Sequence, residues 1–408
     1  MKELLIIGFV WPEPDSTAAG TRMLQLIELF KKNNFNITFA CAAAKTKNSF
    51  KLENIGVSSK DIELNNSSFN EFIKSLKPNI VIFDRYLTEE QFGWRVSEEC
   101  PNTIKILDTE DLHFLRKSRE LSLKNNNSTN NLFNEVTKRE IASIYRCDLT
   151  LIISKYEMKI LTKAFSIKKS ILIYLPFLLN TINPEKNKTY PSFKERKHFI
   201  SIGNFKHEPN WNAVLHLKNN IWPLIREQLP KAQLHIYGAY CTEKVLQLHK
   251  ESEGFIIKGR AENLKETFIN ARVCLAPIRF GAGLKGKLIN SMEYGTPNVT
   301  TNSGVEGMKG KLPWNGFISN NNEDFAQKAV SLYTNENYFE QFQQNGINII
   351  NKRFSKIKFE KKLINRIILI EKSLKLHRDQ NFIGSMLLHH TLKSTKYMSK
   401  WIEEKNKN

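Results

Sequence analysis

The chain of 408 residues has no run of about 18 apolar residues, so no helix of it is expected to span a membrane. Its five cysteines (Cys41, Cys100, Cys147, Cys241 and Cys274) never stand in CxxC spacing. An odd count without a framework excludes a disulfide scaffold and a cysteine-based zinc site, and it suits a reducing compartment. The nine histidines also lack ligand spacing: His389 and His390 are adjacent, and neighbouring side chains on a helix point apart. Acidic residues are scarce. Asp and Glu number 41 against 61 Lys and Arg, a formal charge of +20. Such a surplus would suit nucleic acid, an anionic membrane surface or a phosphorylated substrate. The lysines, however, are spread along the whole chain, without the basic stripe and interleaved aromatics of nucleic-acid modules. Abundant Lys, Asn and Ile together have the character of an AT-rich genome, so charge alone does not name a partner.

What is present is ordinary for a globular protein: 41% hydrophobic and 25% charged residues, in a chain long enough for two or three cores. The start, MKELLIIGFVWPEPDS, carries an apolar run too short for a signal peptide and reads as a first core strand. Strand-like runs follow at 35–43, 78–84, 103–111, 148–154 and 169–177, with helical patterns at 21–33, 68–77, 89–99 and 134–147. Residues 180–197 are polar, hold two prolines and read as a linker. The pattern then restarts, with strands at 198–204, 232–238, 254–259, 273–278 and 297–301. Helices fall at 210–228, 242–250, 262–271, 286–294 and 323–334.

Alternating β and α with continuous Val, Ile and Leu strands means a parallel sheet covered on both faces. The expected organisation is therefore an α/β fold: two Rossmann-like, doubly wound domains, 1–179 and 198–350, facing a cleft. A long amphipathic helix lies in 351–375, and 376–408 is a basic, partly apolar tail.

In such sheets ligands bind beyond the carboxyl ends of the strands. On the first-domain side these loops hold Gly20 and Arg22, then Asp84 and Arg85, then Glu110, Asp111 and His113 in the stretch DTEDLHFLR. On the second-domain side they hold Gly203 and Lys206, then Arg260, then RFGAGLKGKLINSMEYGTP. In this last stretch Gly281, Gly283 and Gly286 spell GxGxxG, and Gly281 to Leu288 spell a P-loop without its Ser or Thr. Neither motif is complete. The dinucleotide fingerprint belongs to the first strand of a domain, and Leu288 cannot hold magnesium. The shared physics survives. Glycines allow close approach, a helix start offers free N–H groups, and Lys285 and Lys287 add charge. That combination points to a diphosphate.

The runs GNFKHEPNWNAV, LHIYG, FIIKGR and NARVCLAPIRFGAGLKGKLINSMEYGTPNVTTNSGVEGM resemble the second domain of group 1 (family 4-like) glycosyltransferases. VWPEPDSTAAGTRM, ILDTEDLHFLR and CDLTLIISKYE resemble that family's first domain. The resemblance covers about residues 1–370 and implies the GT-B fold, with 351–375 crossing back to the first domain. It implies transfer of a sugar from a nucleotide-diphosphate donor, with retained configuration and with no metal or other cofactor. Lys285, Lys287 and Arg260 would then stabilise the leaving diphosphate, with Glu110 and Asp111 near the chemistry. Gly203, Lys206, Gly281, Gly283, Asn290 and Glu306 would hold the donor. Gly20, Arg22, Asp84, Arg85 and His113 would face the acceptor.

The family usually carries two glutamates where this chain has Ala282 and Asn290. A carboxamide accepts ribose hydroxyls without charge assistance, which costs about 1–2 kcal/mol, on the order of tenfold in affinity. That departure keeps open a non-catalytic binding protein of the same fold, and a nucleotide-sugar epimerase shares both fold and donor. The expected setting is bacterial glycan biosynthesis in the cytoplasm. The acceptor would be a glycan or lipid-linked, the basic tail would suit the inner face of an anionic membrane, and no nucleic acid would be bound.

Overall fold

The computed structural model describes residues 1–125, 131–183 and 190–389, with residues 397, 398, 401, 402 and 405 of the tail. The middle of the expected linker (184–189) and most of the tail beyond 389 lie outside the described residues.

Seven strands form the first sheet: β1 (Lys2–Gly8), β2 (Phe35–Cys41), β3 (Ser58–Asp61), β4 (Ile80–Asp84), β5 (Ile104–Asp108), β6 (Leu149–Ile152) and β7 (Leu172–Tyr174). All pair in parallel, in the order β3-β2-β1-β4-β5-β6-β7. Leu4 to Ile7 and Val81 to Phe83 are fully buried, as strands covered on both faces must be. The second sheet is also all parallel: β8 (Lys197–Ile202), β9 (Leu234–Tyr237), β10 (Phe255–Gly259), β11 (Ala271–Ala276), β12 (Asn298–Thr300) and β13 (Gly316–Ile318). Its order is β10-β9-β8-β11-β12-β13. In each sheet the order reverses beside the first strand, which opens a crevice at the carboxyl ends. The two crevices face each other, and this is the GT-B architecture expected from the sequence.

The departures have physical reasons. β3 (SSKD) is a polar, mostly exposed edge strand, and β13 has three residues, so neither shows a hydrophobic period. The expected helix at 210–228 is broken. Glu208–His216 and Trp222–Gln228 are joined through a π turn at Leu217–Ile221, next to Pro223, which has no N–H to continue the ladder. The expected helix at 242–250 shrinks to Glu243–Leu246. Helices His113–Lys124, Lys155–Lys163 and Glu336–Arg353 were not expected.

The segment 351–375 is interrupted at Phe354 and Ser355, and its helix is Lys356–Lys372. This helix does cross back. Phe359, Leu363, Ile367 and Ile370 are buried in the first domain's core with Leu4, Ile6 and Ile27. Lys356 pairs with Glu28 at 2.6 Å. The chain therefore passes between the domains twice, and the two passages touch. Leu179 N–H donates to the Phe354 carbonyl, and Lys356 N–H to the Leu179 carbonyl, both at 2.9 Å. Asn351 binds both backbone groups of Ile182, at 2.8 and 3.0 Å. Beyond the crossing, helices Leu374–Asp379 and Phe382–Leu388 fold onto the first domain. Arg378 donates to Asp148 at 2.7 and 2.9 Å and to the Thr103 carbonyl at 2.7 Å.

Candidate active site

β4 and β5 end side by side on Asp84 and Asp108, whose backbones pair in register. Asp108 is fully buried and receives Arg22 through Nη2 at 2.9 Å and Nε at 3.1 Å. Arg22 also donates through Nη1 to the carbonyls of Leu175 (2.9 Å) and Pro176 (3.2 Å) and is 1% exposed. Expected on the acceptor side, it is placed instead as a strut that ties helix Ala18–Lys32 to the sheet end. Gly20 differs in the same way. A Cβ there would lie 2.4 Å from the Glu13 backbone, so its close approach is to the chain itself.

Asp84 accepts the Phe9 N–H at 3.0 Å and Arg85 at 3.1 Å, while its Oδ1 is buried without a partner. Burial pushes its carboxyl up. Arg85 and Glu110 follow these strands with φ of 72° and 60°. Such left-handed backbone in residues other than glycine costs on the order of 1 kcal/mol or more and gathers at working sites. Burial, and then Asp108, drives the Glu110 carboxyl well above the usual carboxylate range, and its Oε1 is buried and unpartnered.

Asp111 accepts Arg116 at 2.6 Å. Burial alone would raise it, but Arg116, with His113 and His207, holds it down to about 2. His113 lies 3.5 Å from Asp111; burial lowers its pKa to about 3, so it is neutral at pH 7. Its Nδ1 has no hydrogen-bond partner.

Across the cleft, the glycine loop leads into helix Gly286–Glu293. Gly283 has φ of 63°, and a Cβ there would stand 2.8 Å from the Asp111 Cβ, so only glycine lets the loop come this close. Its N–H donates to Glu157 at 2.8 Å, and the same oxygen accepts the Leu112 N–H at 3.0 Å. Burial lifts Glu157 to about 7. Arg119 donates to the Gly281 carbonyl at 2.7 Å and to both Glu306 oxygens at 2.8 and 2.9 Å. Glu306, expected to face the donor, is thus held by the first domain.

Lys285 donates to its own loop, at 3.1 Å to Ala282 and 2.9 Å to Gly283. Lys287 makes no hydrogen bond or ion pair among the described residues, and burial lowers its pKa to about 8. The Asn290 amide is also without a hydrogen bond among the described residues. Residues 286, 287 and 290 form the half-buried stripe of this helix, so Lys287 and Asn290 share a face.

Gly203, Lys206 and Arg260 have partners of their own. Gly203 packs against Asn210, and a Cβ there would be 2.6 Å from that side chain. Lys206 sits 3.9 Å over the Tyr240 ring, whose hydroxyl donates to Glu13 at 2.6 Å. Arg260 pairs with Asp15 at 3.4 Å and is exposed. No hydrogen bond or ion pair among the described residues joins these three to 281–287.

The structure thus brings together Asp84, Arg85, Glu110, Asp111 and His113 on one wall and the glycine loop with its lysines on the other. Sequence reasoning missed Arg119 and Glu157. Arg119 lies one helical turn after Arg116, a spacing visible once 113–124 is read as a helix. Ser154 and Glu157 have capping-box spacing, and Ser154 does accept the Tyr156 N–H at 3.1 Å. Glu157 instead reaches across the cleft. Among the described residues no three His, Cys, Asp or Glu side chains gather where a metal could be held.

Residues 196–335 match the family described as "Glycosyl transferases group 1". No curated protein sequence matches the chain. Among solved structures it resembles sucrose-phosphate synthase from Thermosynechococcus elongatus, with a TM-score of 0.67 and 12% identity over 90% of this chain and 98% of that one. A glycosyltransferase from Rickettsia africae gives 0.66 and 13% over 91% and 99%. HepE from Anabaena, solved with UDP and glucose, gives 0.63 and 11% over 90% and 99%. At these identities the likeness carries the fold, and it is the two-domain fold described above.

Proposed function

We propose that the chain, whose second domain is a group 1 glycosyltransferase domain, moves a sugar from a nucleoside-diphosphate sugar to an acceptor hydroxyl. In this reading the configuration is retained and no metal takes part. One observation carries it: Lys287 is a half-buried ammonium with no anion beside it among the described residues, one residue into a helix that follows a glycine loop. A charge taken from water without a counter-ion is costly, and a diphosphate on the same helix end would supply one. Lys285, now bonded to its own loop, and Arg119, now on Glu306, are further cations a donor would recruit. Neutral His113 and Glu110, whose carboxyl burial pushes up, line the acceptor wall with hydrogen-bonding groups, while Asp111 stays ionised against Arg116. The acceptor is a glycan or a lipid-linked sugar, and the setting is the cytoplasm at the inner face of an anionic membrane.

The test is incubation with a panel of nucleotide sugars, UDP-sugars first because HepE was solved with UDP, with release of nucleoside diphosphate as readout. Lys287→Ala should lower kcat/KM by about 10²–10³, as loss of one charge-stabilising group does. Asn290→Ala should cost about tenfold or less, and Asn290→Glu should tighten the donor by about tenfold. The reverse order for the two alanine variants would overturn this placement of the diphosphate.

A second reading, a binding protein of the same fold, is favoured by Asn290 and by the tie of the glycine loop to Glu157 and Arg119. A nucleotide-induced rise in Tm without turnover would select it. Isomerised donor would select an epimerase.

A further inference from the structure

Helix Phe382–Leu388 packs on the first domain by its smallest side. A Cβ on Gly384 would lie 2.2 Å from the Tyr145 carbonyl oxygen, and Asn381 donates to the same oxygen at 2.7 Å. Its large apolar side chains turn the other way. Phe382, Ile383, Met386 and Leu387 are 69%, 45%, 54% and 36% exposed. They stand at i, i+1, i+4 and i+5, one stripe of a helix. Tyr397, Met398, Trp401 and Ile402 repeat that spacing and are 65%, 56%, 59% and 45% exposed. A helix on a protein surface ordinarily buries such a stripe; here the burial is inverted.

The charge around the two stripes is one-sided. Residues 372–408 hold eight Lys or Arg against three Asp or Glu, a surplus of five.

We propose that these two stripes are an interfacial anchor for an anionic lipid bilayer. Apolar stripes flanked by lysines have the composition of helices that lie in the headgroup region, and Trp and Tyr favour that boundary. Each lysine near an anionic surface adds attraction. A second copy of the chain fits less well, because two tails of like surplus charge would meet. The helix is fixed to Tyr145, and its neighbour Arg378 to Asp148 and Thr103, at the amino ends of β5 and β6. That edge is opposite the cleft, so the bilayer would hold the first domain and leave the cleft uncovered. The anchor does not depend on the transfer reaction.

The experiment is co-sedimentation of the full chain with vesicles of phosphatidylglycerol and phosphatidylcholine, and with phosphatidylcholine alone, at low and high salt. Binding should favour the anionic vesicles by about tenfold or more and fall with salt. The double variant F382S/M386S should lose about tenfold in binding with unchanged Tm, because both side chains face outward. Brominated lipid should quench tryptophan fluorescence in the natural chain and less so in W401F. Three results would overturn the proposal: no binding to anionic vesicles at low salt, equal binding by F382S/M386S, or a solution dimer that the double variant dissolves.

Discussion

Lys287 shows what burial does to a single charge. Partly removed from water and given no counter-ion, its ammonium has its pKa lowered from 10.5 to about 8. The folded protein therefore binds fewer protons at this site than the unfolded chain between about pH 8 and 10.5. Its contribution to stability rises with pH across that window and is least favourable below it. A bound diphosphate removes the deficit by favouring the charged form. The rise in Tm on adding a nucleoside diphosphate should be larger at pH 7 than at pH 9.5. Equal rises at both would mean that Lys287 does not meet the phosphates. Glycine spacing and a helix start single this lysine out in the sequence. The role of Arg22 was not legible. An arginine at a helix start after a strand reads the same whether it meets a ligand or, as here, is spent on Asp108 and two carbonyls.

At the level of elements, one carboxylate fastens three of them. Glu157, in the first turn of helix Lys155–Lys163, accepts the N–H that precedes helix His113–Lys124 and the Gly283 N–H of the glycine loop. Glu157→Leu leaves both donors unsatisfied and should cost about 1–3 kcal/mol in unfolding free energy. Glu157→Gln keeps an acceptor and drops the charge. Burial raises the carboxyl from 4.5 to about 7, so the natural residue's contribution to stability falls as pH rises between those values. Relative to the natural chain, Glu157→Gln should therefore melt higher at pH 8 than at pH 5. An equal difference at both pH values would refute the raised pKa. The sequence showed where most strands lie because buried parallel strands are continuous apolar runs, as in Leu4–Ile7 and Val81–Phe83. It did not show β3, whose polar edge has no apolar face, nor the break before Pro223, where the apolar pattern continues through the π turn.

For the whole molecule, two parallel sheets covered on both faces were readable from alternation, while the return of the last long helix was implied by the family resemblance and not by its amphipathic pattern. The closed cleft was not readable, since it depends on pairings between residues far apart in the chain. Arg119 and Glu306, 187 positions apart, make a bidentate ion pair across that closure. Such half-buried bidentate pairs fix geometry more than they add stability. Arg119→Ala should therefore open the cleft and enlarge the radius of gyration in solution scattering, with only a small change in Tm. An unchanged radius would assign closure to Glu157 and to the rim pair of Glu13 and Tyr240.

The contact of the two chain crossings sets what kind of motion this can be. Leu179, Phe354 and Lys356 are sewn together by two backbone hydrogen bonds, with Asn351 clasping Ile182 beside them. A single fulcrum fixes where the domains meet but not the angle between them. Swing and twist are both permitted without stretching either strand. Angular accuracy is then supplied in the cleft, by Glu157, by Arg119 and by Ile153, which is buried in one apolar cluster with Leu284 and Leu288 of the second domain, so the two walls are set in register before a donor arrives.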